Sequence, residues 1–258
     1  MTITTEYEAT LAVCSEHPFA VVKELAQIEA MGGLQLGPRK TRSIRDVYFD
    51  TPEGELSTRH AVLRIRRIDR EWRIALKGPS SATGRALVSR SELELPWSQK
   101  ALERIEIELA TYGLSVDWAE FSPDNPRATL LESGFRAIQD RSVQRMVRDI
   151  IPEGTRVRAG EMLIDSVTYR LADGDIIHHE IEVEAGNVHF VDTVELLVTH
   201  LGARFGRALR PWDCGKLVTG RAVEELLRLD FLEHSVDDHG CLLPRAYDII
   251  CSYLRCSP

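Results

Sequence analysis

The stretch HHEIEVEAG, residues 178–186, alternates the glutamates Glu180, Glu182 and Glu184 with Ile181 and Val183. Strict alternation of polar and apolar residues marks a β-strand with one face of each kind. A strand rises about 3.3 Å per residue, so neighbouring carboxylates on that face stand roughly 7 Å apart. At an effective dielectric of about 20 each adjacent pair repels by roughly 2 kcal/mol, against roughly 0.6 kcal/mol in bulk water. On an open face the row is harmless. Enclosed, it needs positive charge set against it.

The same alternation recurs along the chain and predicts eight strands, near residues 3–13, 40–49, 61–69, 71–78, 85–95, 136–149, 161–171 and 175–185. Short links join several of them: DTPEGE, IDRE and LADGD. Links this short make antiparallel neighbours, because parallel pairing needs a long crossover. Helical patterns fill the gaps. HPFAVVKELAQIEAMGG carries Pro18 near its start and a Gly pair at its end, and SQKALERIEIELATYG runs from a Ser98 N-cap to Gly113. Further helices are expected over VDTVELLVTHLGARFG, after Lys216, and over PRAYDIICSYLRC, with a loop and short helix around DWAEFSPDNPRATLLESG.

The polar faces carry charge of both signs. Glu6, Glu8 and Thr10 share a face of the first strand, Arg64 and Arg66 one of the third, and Arg73 and Lys77 one of the fourth. Arg90, Glu92 and Glu94 align on the fifth, and Arg141 and Arg145 on the sixth. Two arrangements accommodate this. An open sheet would leave the charges solvated, with cross-strand ion pairs explaining the mixed signs. Alternatively, eight strands are enough to close a barrel. Its outer faces would pack on helices, and its lumen would hold Arg and Lys for anionic oxygens beside carboxylates suited to Mg²⁺ or Mn²⁺.

Composition narrows the classes. The chain has 258 residues, a formal charge of −8 and 28% charged residues, so nothing points to nucleic-acid binding. No apolar run approaches the ~20 residues a bilayer span needs, and MTITTEYEATLAV lacks the pattern of a secretory leader. Five cysteines, without a CxxC pair, fit free thiols in a reducing compartment. The expectation is a cytoplasmic protein. His178 shares the Glu180 face, but without a metal-binding helix motif it reads as a peripheral histidine; Trp72 reads as packing.

TEYEA, DVYFDTPEGEL, VLRIRR, WRIALKGP, RSELELP, LIDSVTY, HHEIEVE and CGKLVTG occur in the order seen in the CYTH superfamily, which the chain resembles from about residue 4 to about residue 225. These triphosphate tunnel metalloenzymes include inorganic triphosphatases, thiamine triphosphatases and class IV adenylyl cyclases. The resemblance implies an α+β fold: an eight-stranded antiparallel barrel, or tunnel, with helices around it. It implies a tunnel domain over residues 1–230, leaving 231–258 as a C-terminal helical extension that docks on the barrel or on the partner in a homodimer. Glu6 and Glu8 match the carboxylates of the family's E-x-E-x-K motif, Glu92 and Glu94 a second acidic pair, Glu180 and Glu182 a late pair, and Asp165 an aspartate of the preceding strand. All seven are implied ligands, direct or indirect, of Mg²⁺ or Mn²⁺. Arg64, Arg66, Arg73, Lys77, Arg141, Arg145 and Lys216 match basic residues that hold the triphosphate, with Arg66, Lys77 and Glu182 in catalytic roles. One departure stands out: the motif's lysine is replaced by Thr10, which offers a hydroxyl but no charge. The implied activity is metal-dependent hydrolysis of inorganic triphosphate or of a nucleoside or thiamine triphosphate. ATP cyclisation, and binding of polyphosphate or nucleotide without turnover, are the alternatives.

Overall fold

The computed structural model describes residues 4–82, 88–172 and 174–256. Eight long strands form the frame: β1 (Thr4–Val13), β4 (Lys40–Asp50), β5 (Val62–Ile68), β6 (Glu71–Ala82), β7 (Val88–Pro96), β8 (Arg136–Pro152), β9 (Gly160–Leu171) and β10 (Gly174–Ala185). All pairs are antiparallel, in the order β8-β4-β5-β6-β7-β1-β10-β9, and β9 pairs back onto β8. The sheet is therefore a closed barrel, as the resemblance implies; of the two arrangements the alternation allowed, the open sheet is excluded. Residue 3 and residues 85–87, expected in the first and fifth strands, lie outside the described residues.

Helices cover the apolar outer faces. Ile181 and Val183 of β10 join Met162 and Ile164 of β9, with Leu25 of α1 (Pro18–Gln27) and Val194, Leu197 and Leu201 of α5 (Val191–Phe205). On the opposite side, Leu63, Ile65, Ile74, Leu76, Leu93 and Leu95 meet α3 (Gln99–Thr111) through Leu102, Ile105 and Leu109. Trp72 packs at that cluster's edge. Ser98 caps α3 by accepting from the Ala101 N–H at 3.2 Å. Leu56 of α2 (Glu55–Thr58) and Leu130 of α4 (Pro126–Glu132) join the same core. Each side chain of this size stabilises by roughly 1.5–3 kcal/mol when buried. The DTPEGE link owes its shape to buried Asp50, whose carboxylate accepts from the backbone N–H of Thr51, Leu56 and Ser57.

The Gly pair after α1 acts differently from the expected helix end. α1 stops at Gln27, and Gly32 (φ 60°) and Gly33 (φ 77°) form the two-residue turn of a hairpin between β2 (Ala30–Met31) and β3 (Leu34–Leu36). Two successive positive φ values suit such a turn, and glycine adopts them freely. Burial of Ile28, Leu34 and Leu36 against the α5 side repays the extended backbone.

One end of the barrel is capped. After β11 (Leu209–Pro211), which pairs with β1, come α6 (Lys216–Arg228) and α7 (Pro244–Cys256). Val223 and Leu226 of α6 pack with Ala246, Tyr247 and Ile250 of α7, and with Ala12, Ile176 and Trp212 of the barrel end. The first carbonyls of α6 are held by the barrel: Tyr169 Oη donates to Lys216 O at 2.9 Å and Gln139 Nε2 to Leu217 O at 3.2 Å. Here α6 approaches so closely that a Cβ on Gly220 would overlap both Gln139 and Tyr169. Gly220→Ala is expected to destabilise the fold by about 1–3 kcal/mol through overpacking. An exposed helical Gly→Ala change instead stabilises by roughly 1 kcal/mol. Urea unfolding of parent and variant reads the sign, and a gain in stability would mean that α6 is not seated on Tyr169.

Candidate functional site

Barrel closure turns the charged faces inward. On the β4–β7 wall, Asp46 is fully buried and binds Arg66 through both oxygens, at 2.7 and 3.0 Å. Arg141 of β8 donates to the same carboxylate at 3.0 Å and lies over the Tyr48 ring, 4.5 Å from its centroid. Arg64 meets Glu92 and Glu94 at 3.1 Å each, and Arg73 meets Glu94 at 2.6 Å. Lys77 bridges Glu6 at 2.9 Å and Glu92 at 3.1 Å. Burial opposes ionisation of Asp46, but Arg66, Arg64 and Arg141 outweigh it and hold its carboxyl well below the usual range.

On the facing wall the glutamate row meets its counter-charge. Lys216, from the start of α6, reaches Glu182 at 2.6 Å and Asp165 at 3.1 Å and pairs with Glu180. Arg145 binds Asp165 at 2.6 Å and Glu182 at 2.7 Å. Against the burial that disfavours charge, Lys216 and Arg145 keep Glu182 ionised far below its ordinary value. Behind Glu180, His178 is fully buried, with Nε2 at 2.8 Å from the Glu180 carboxylate and Nδ1 at 3.0 Å from Tyr247 Oη of α7. An ionised carboxylate can only accept, so Nε2 carries a proton and donates to Glu180. The expected peripheral histidine is thus a buried link between the lumen and α7. Its neighbour His179 points the other way, toward Ser166 Oγ at 2.9 Å.

Glu184 differs from its two row-mates. It lies opposite Glu8 of β1 and has no ion-pair partner among the described residues. Burial, and then Glu182, push its carboxyl up to about 8. Burial and a hydrogen bond with Glu92 likewise raise Glu6 to about 7, against the pull of Lys77.

The lumen thus gathers the carboxylates and basic residues matched to the family motifs, but in separate groups. Two sets of carboxylates place ligand atoms within 4.8 Å of one another: Asp165 with Glu180 and Glu182, and Glu8 with Glu182 and Glu184. The first already surrounds the Lys216 ammonium. The second has Arg90 of β7 on Glu8 at 2.5 Å and, among the described residues, no counter-charge on Glu184, so it suits an added hard cation. Glu6, Glu92 and Glu94 sit apart from both, on Lys77, Arg64 and Arg73. Asp46, Tyr48, Arg90 and Glu184 are the lumen residues that motif matching passed over. Alternation alone put Arg90 and Glu184 on polar faces, and that of RDVYFD could have placed Asp46 and Tyr48.

Buried guanidinium nitrogens form a second imbalance. Arg64 Nε, Arg90 Nε, and Nε and Nη1 of Arg141 have no hydrogen-bond acceptor among the described residues. Buried donors without acceptors are uncommon in folded proteins, and such groups call for a partner, an ordered water or a bound ligand. Away from the α6–α7 cap, a cavity of about 720 Å³ opens among Arg42, Ile68, Asp69, Arg70, Glu71, Arg73 and Glu94. Two of its lining residues, Arg73 and Glu94, belong to the ion-pair network of the β4–β7 wall.

Glu184 makes a prediction about pH. Its carboxyl is pushed up to about 8 in the fold from an ordinary value of 4.5, so the native state holds the proton more tightly. Its contribution is complete below about pH 4.5 and is lost as pH rises toward 8. Without divalent cations, Glu184→Gln is expected to exceed the parent in stability at pH 8–9 by about 1–3 kcal/mol, the difference vanishing near pH 4.5. Denaturant melts across this range measure it; equal stabilities at pH 9 would place Glu184 in open solvent.

Comparison with known proteins agrees with this architecture. A family model, the CYTH domain, matches residues 19–199. No curated protein matches the chain in sequence. Among solved structures, a Hippeastrum protein assigned as an adenylyl cyclase and showing a dominant triphosphatase activity is similar with a TM-score of 0.54 and 16% identity, covering 85% of this chain and 96% of its own. A Bacillus halodurans protein assigned as an adenylate cyclase is similar with a TM-score of 0.51 and 20% identity, covering 84% and 97%. At these identities the likeness is one of fold. The family match spans well over half of the sequence, and the barrel closes with the expected strands and lumen: the chain belongs to the CYTH domain family.

Proposed function

We propose that the protein is a divalent-cation-dependent hydrolase of inorganic triphosphate or an organic triphosphate, bound within the tunnel. One observation carries the reading: a single lumen holds a carboxylate group short of a cation beside guanidinium N–H groups short of acceptors. A divalent ion with a chain of phosphate oxygens supplies both at once. The triphosphatase activity of the Hippeastrum protein agrees with this reading.

Glu8, Glu182 and Glu184 would hold the ion, Mg²⁺ or Mn²⁺ by their all-oxygen donor set. When bound, such an ion neutralises phosphate oxygens and makes an attacking water more acidic. Arg64, Arg66, Arg73 and Lys77 line one wall, with Arg141 beside them at Asp46, while Arg145 and Lys216 stand on the other. These cations hold the polyanion and stabilise charge on the transferring phosphoryl group, which is most of what phosphoryl transfer asks of a protein. Asp165 and Glu180 position Lys216 and Arg145; Glu92 and Glu94 position the cations of the first wall. Glu6, poised at about 7, can take or release a proton at neutral pH.

The test is a panel of inorganic triphosphate, ATP and thiamine triphosphate with product analysis. Phosphate release from at least one substrate, abolished by EDTA and restored by Mg²⁺ or Mn²⁺, is expected. Undiminished activity after metal removal would refute the mechanism, and cyclic AMP with pyrophosphate would replace hydrolysis by cyclisation.

The ion pairs add a thermodynamic expectation. Every carboxylate taken by a cation loosens its hold on an arginine or lysine, so cation and polyanion should bind with positive coupling. Coupling between sites is reciprocal. Saturating Mg²⁺ should tighten binding of a non-hydrolysable imidotriphosphate by about tenfold or more, and the analogue should tighten Mg²⁺ by the same factor. Calorimetric titrations in both orders check this; independent binding would contradict it.

A further inference from the structure

Arg90 is a lumen arginine with one carboxylate partner among the described residues. One nitrogen, Nη2, meets Glu8 at 2.5 Å, while Nε is buried without an acceptor. By contrast, Arg145 is shared by Asp165 and Glu182, and Arg64 by Glu92 and Glu94. The register places Arg90 directly across from Glu6, and its side chain is only 20% exposed. Its single carboxylate partner belongs to the Glu8–Glu182–Glu184 group. Two residues beyond Glu8 on the same face of β1, Thr10 lies opposite Glu182. That position carries no charge, so Arg90 supplies the positive charge beside Glu8.

A cation on Glu8, Glu182 and Glu184 would compete with Arg90 for Glu8. The displaced guanidinium, with a second N–H already lacking an acceptor, would then face the anion that accompanies the cation. We propose that Arg90 is a substrate-binding residue that exchanges the Glu8 carboxylate for a phosphate oxygen when cation and triphosphate enter together, supplying the charge that Thr10 does not. This rests on the triphosphate reading of the tunnel. It makes Arg90 the chain's own link between the ion site and the anion. No bond to phosphorus forms or breaks in this exchange.

The experiment measures binding as well as turnover. Imidotriphosphate is titrated by calorimetry into parent, Arg90→Gln, Arg90→Lys, and the double variant Arg90→Gln/Thr10→Lys, each with and without Mg²⁺. Arg90→Gln is expected to weaken analogue binding in Mg²⁺ by about tenfold or more, as for loss of a charge-assisted hydrogen bond. KM for the hydrolysed substrate should rise in proportion. Arg90→Lys should retain most of the affinity, and Thr10→Lys should restore much of what Arg90→Gln loses, because it returns a cation to the same region from β1. Affinity for Mg²⁺ alone should rise or hold in Arg90→Gln, since a competitor for Glu8 is gone. A purely structural Arg90–Glu8 pair gives a different pattern: a lower melting temperature, unchanged analogue affinity, and no rescue by Thr10→Lys. Unchanged affinity in Arg90→Gln overturns this inference while leaving the triphosphate reading intact. A parent that binds no analogue with or without Mg²⁺ overturns both.

Discussion

A charge inside a closed barrel has nowhere to go. Water screens a charge on an open sheet, but β9 pairs back onto β8 and the polar faces of all eight strands look at one another. Desolvating an ion costs several kcal/mol unless it is paired and hydrogen-bonded. The consequence is visible at nearly every lumen residue. Asp46 serves Arg64, Arg66 and Arg141; Lys216 serves Asp165, Glu180 and Glu182. Where a partner is missing, the proton takes its place, as at Glu184.

The same constraint explains why the helices at one end matter to the interior. Lys216 belongs to α6, outside the barrel wall, yet it is the cation closest to the centre of the glutamate row. Its reach depends on α6 being clamped by Tyr169 and Gln139 and on the close approach at Gly220. Tyr247 of α7 adds a second tie, through His178, to the carboxylate Lys216 binds. Packing at the cap and electrostatics in the lumen are therefore one system. A shift of α6 would leave Glu180, almost wholly buried, without its cation, while Asp165 would keep Arg145.

Much of this was legible in the sequence, for a physical reason. A strand repeats every two residues, so HHEIEVE, VLRIRR and RSELELP announce which side chains share a face, and short links announce antiparallel neighbours. Closure itself was not legible from periodicity, because an open sheet has the same alternation; the ordered motifs favoured the barrel. Partner choice was hidden as well. Nothing in the spacing of Glu180, Glu182 and Glu184 says that Lys216 takes the first two and leaves the third, since that depends on where α6 enters. His178 looked peripheral because Tyr247 lies 69 residues away in sequence. The Gly32–Gly33 pair was misleading in another way: glycine ends helices and turns hairpins through the same positive φ.

A charged interior is also a costly way to build a stable core. Replacing buried ion pairs by well-packed apolar residues is often neutral or stabilising. The outer face of this barrel shows that the sequence can do so, since Ile181 and Val183 alternate with the glutamates and pack fully against the helices. The lumen keeps instead a carboxyl displaced to about 8 and several guanidinium nitrogens without acceptors. Neither contributes to holding the fold together. Both imbalances have opposite sign and lie within one cavity, which is the pattern expected of a surface complementary to a ligand carrying cation and anion together. The residues that stabilise the fold least are thus the ones that define what the tunnel can bind.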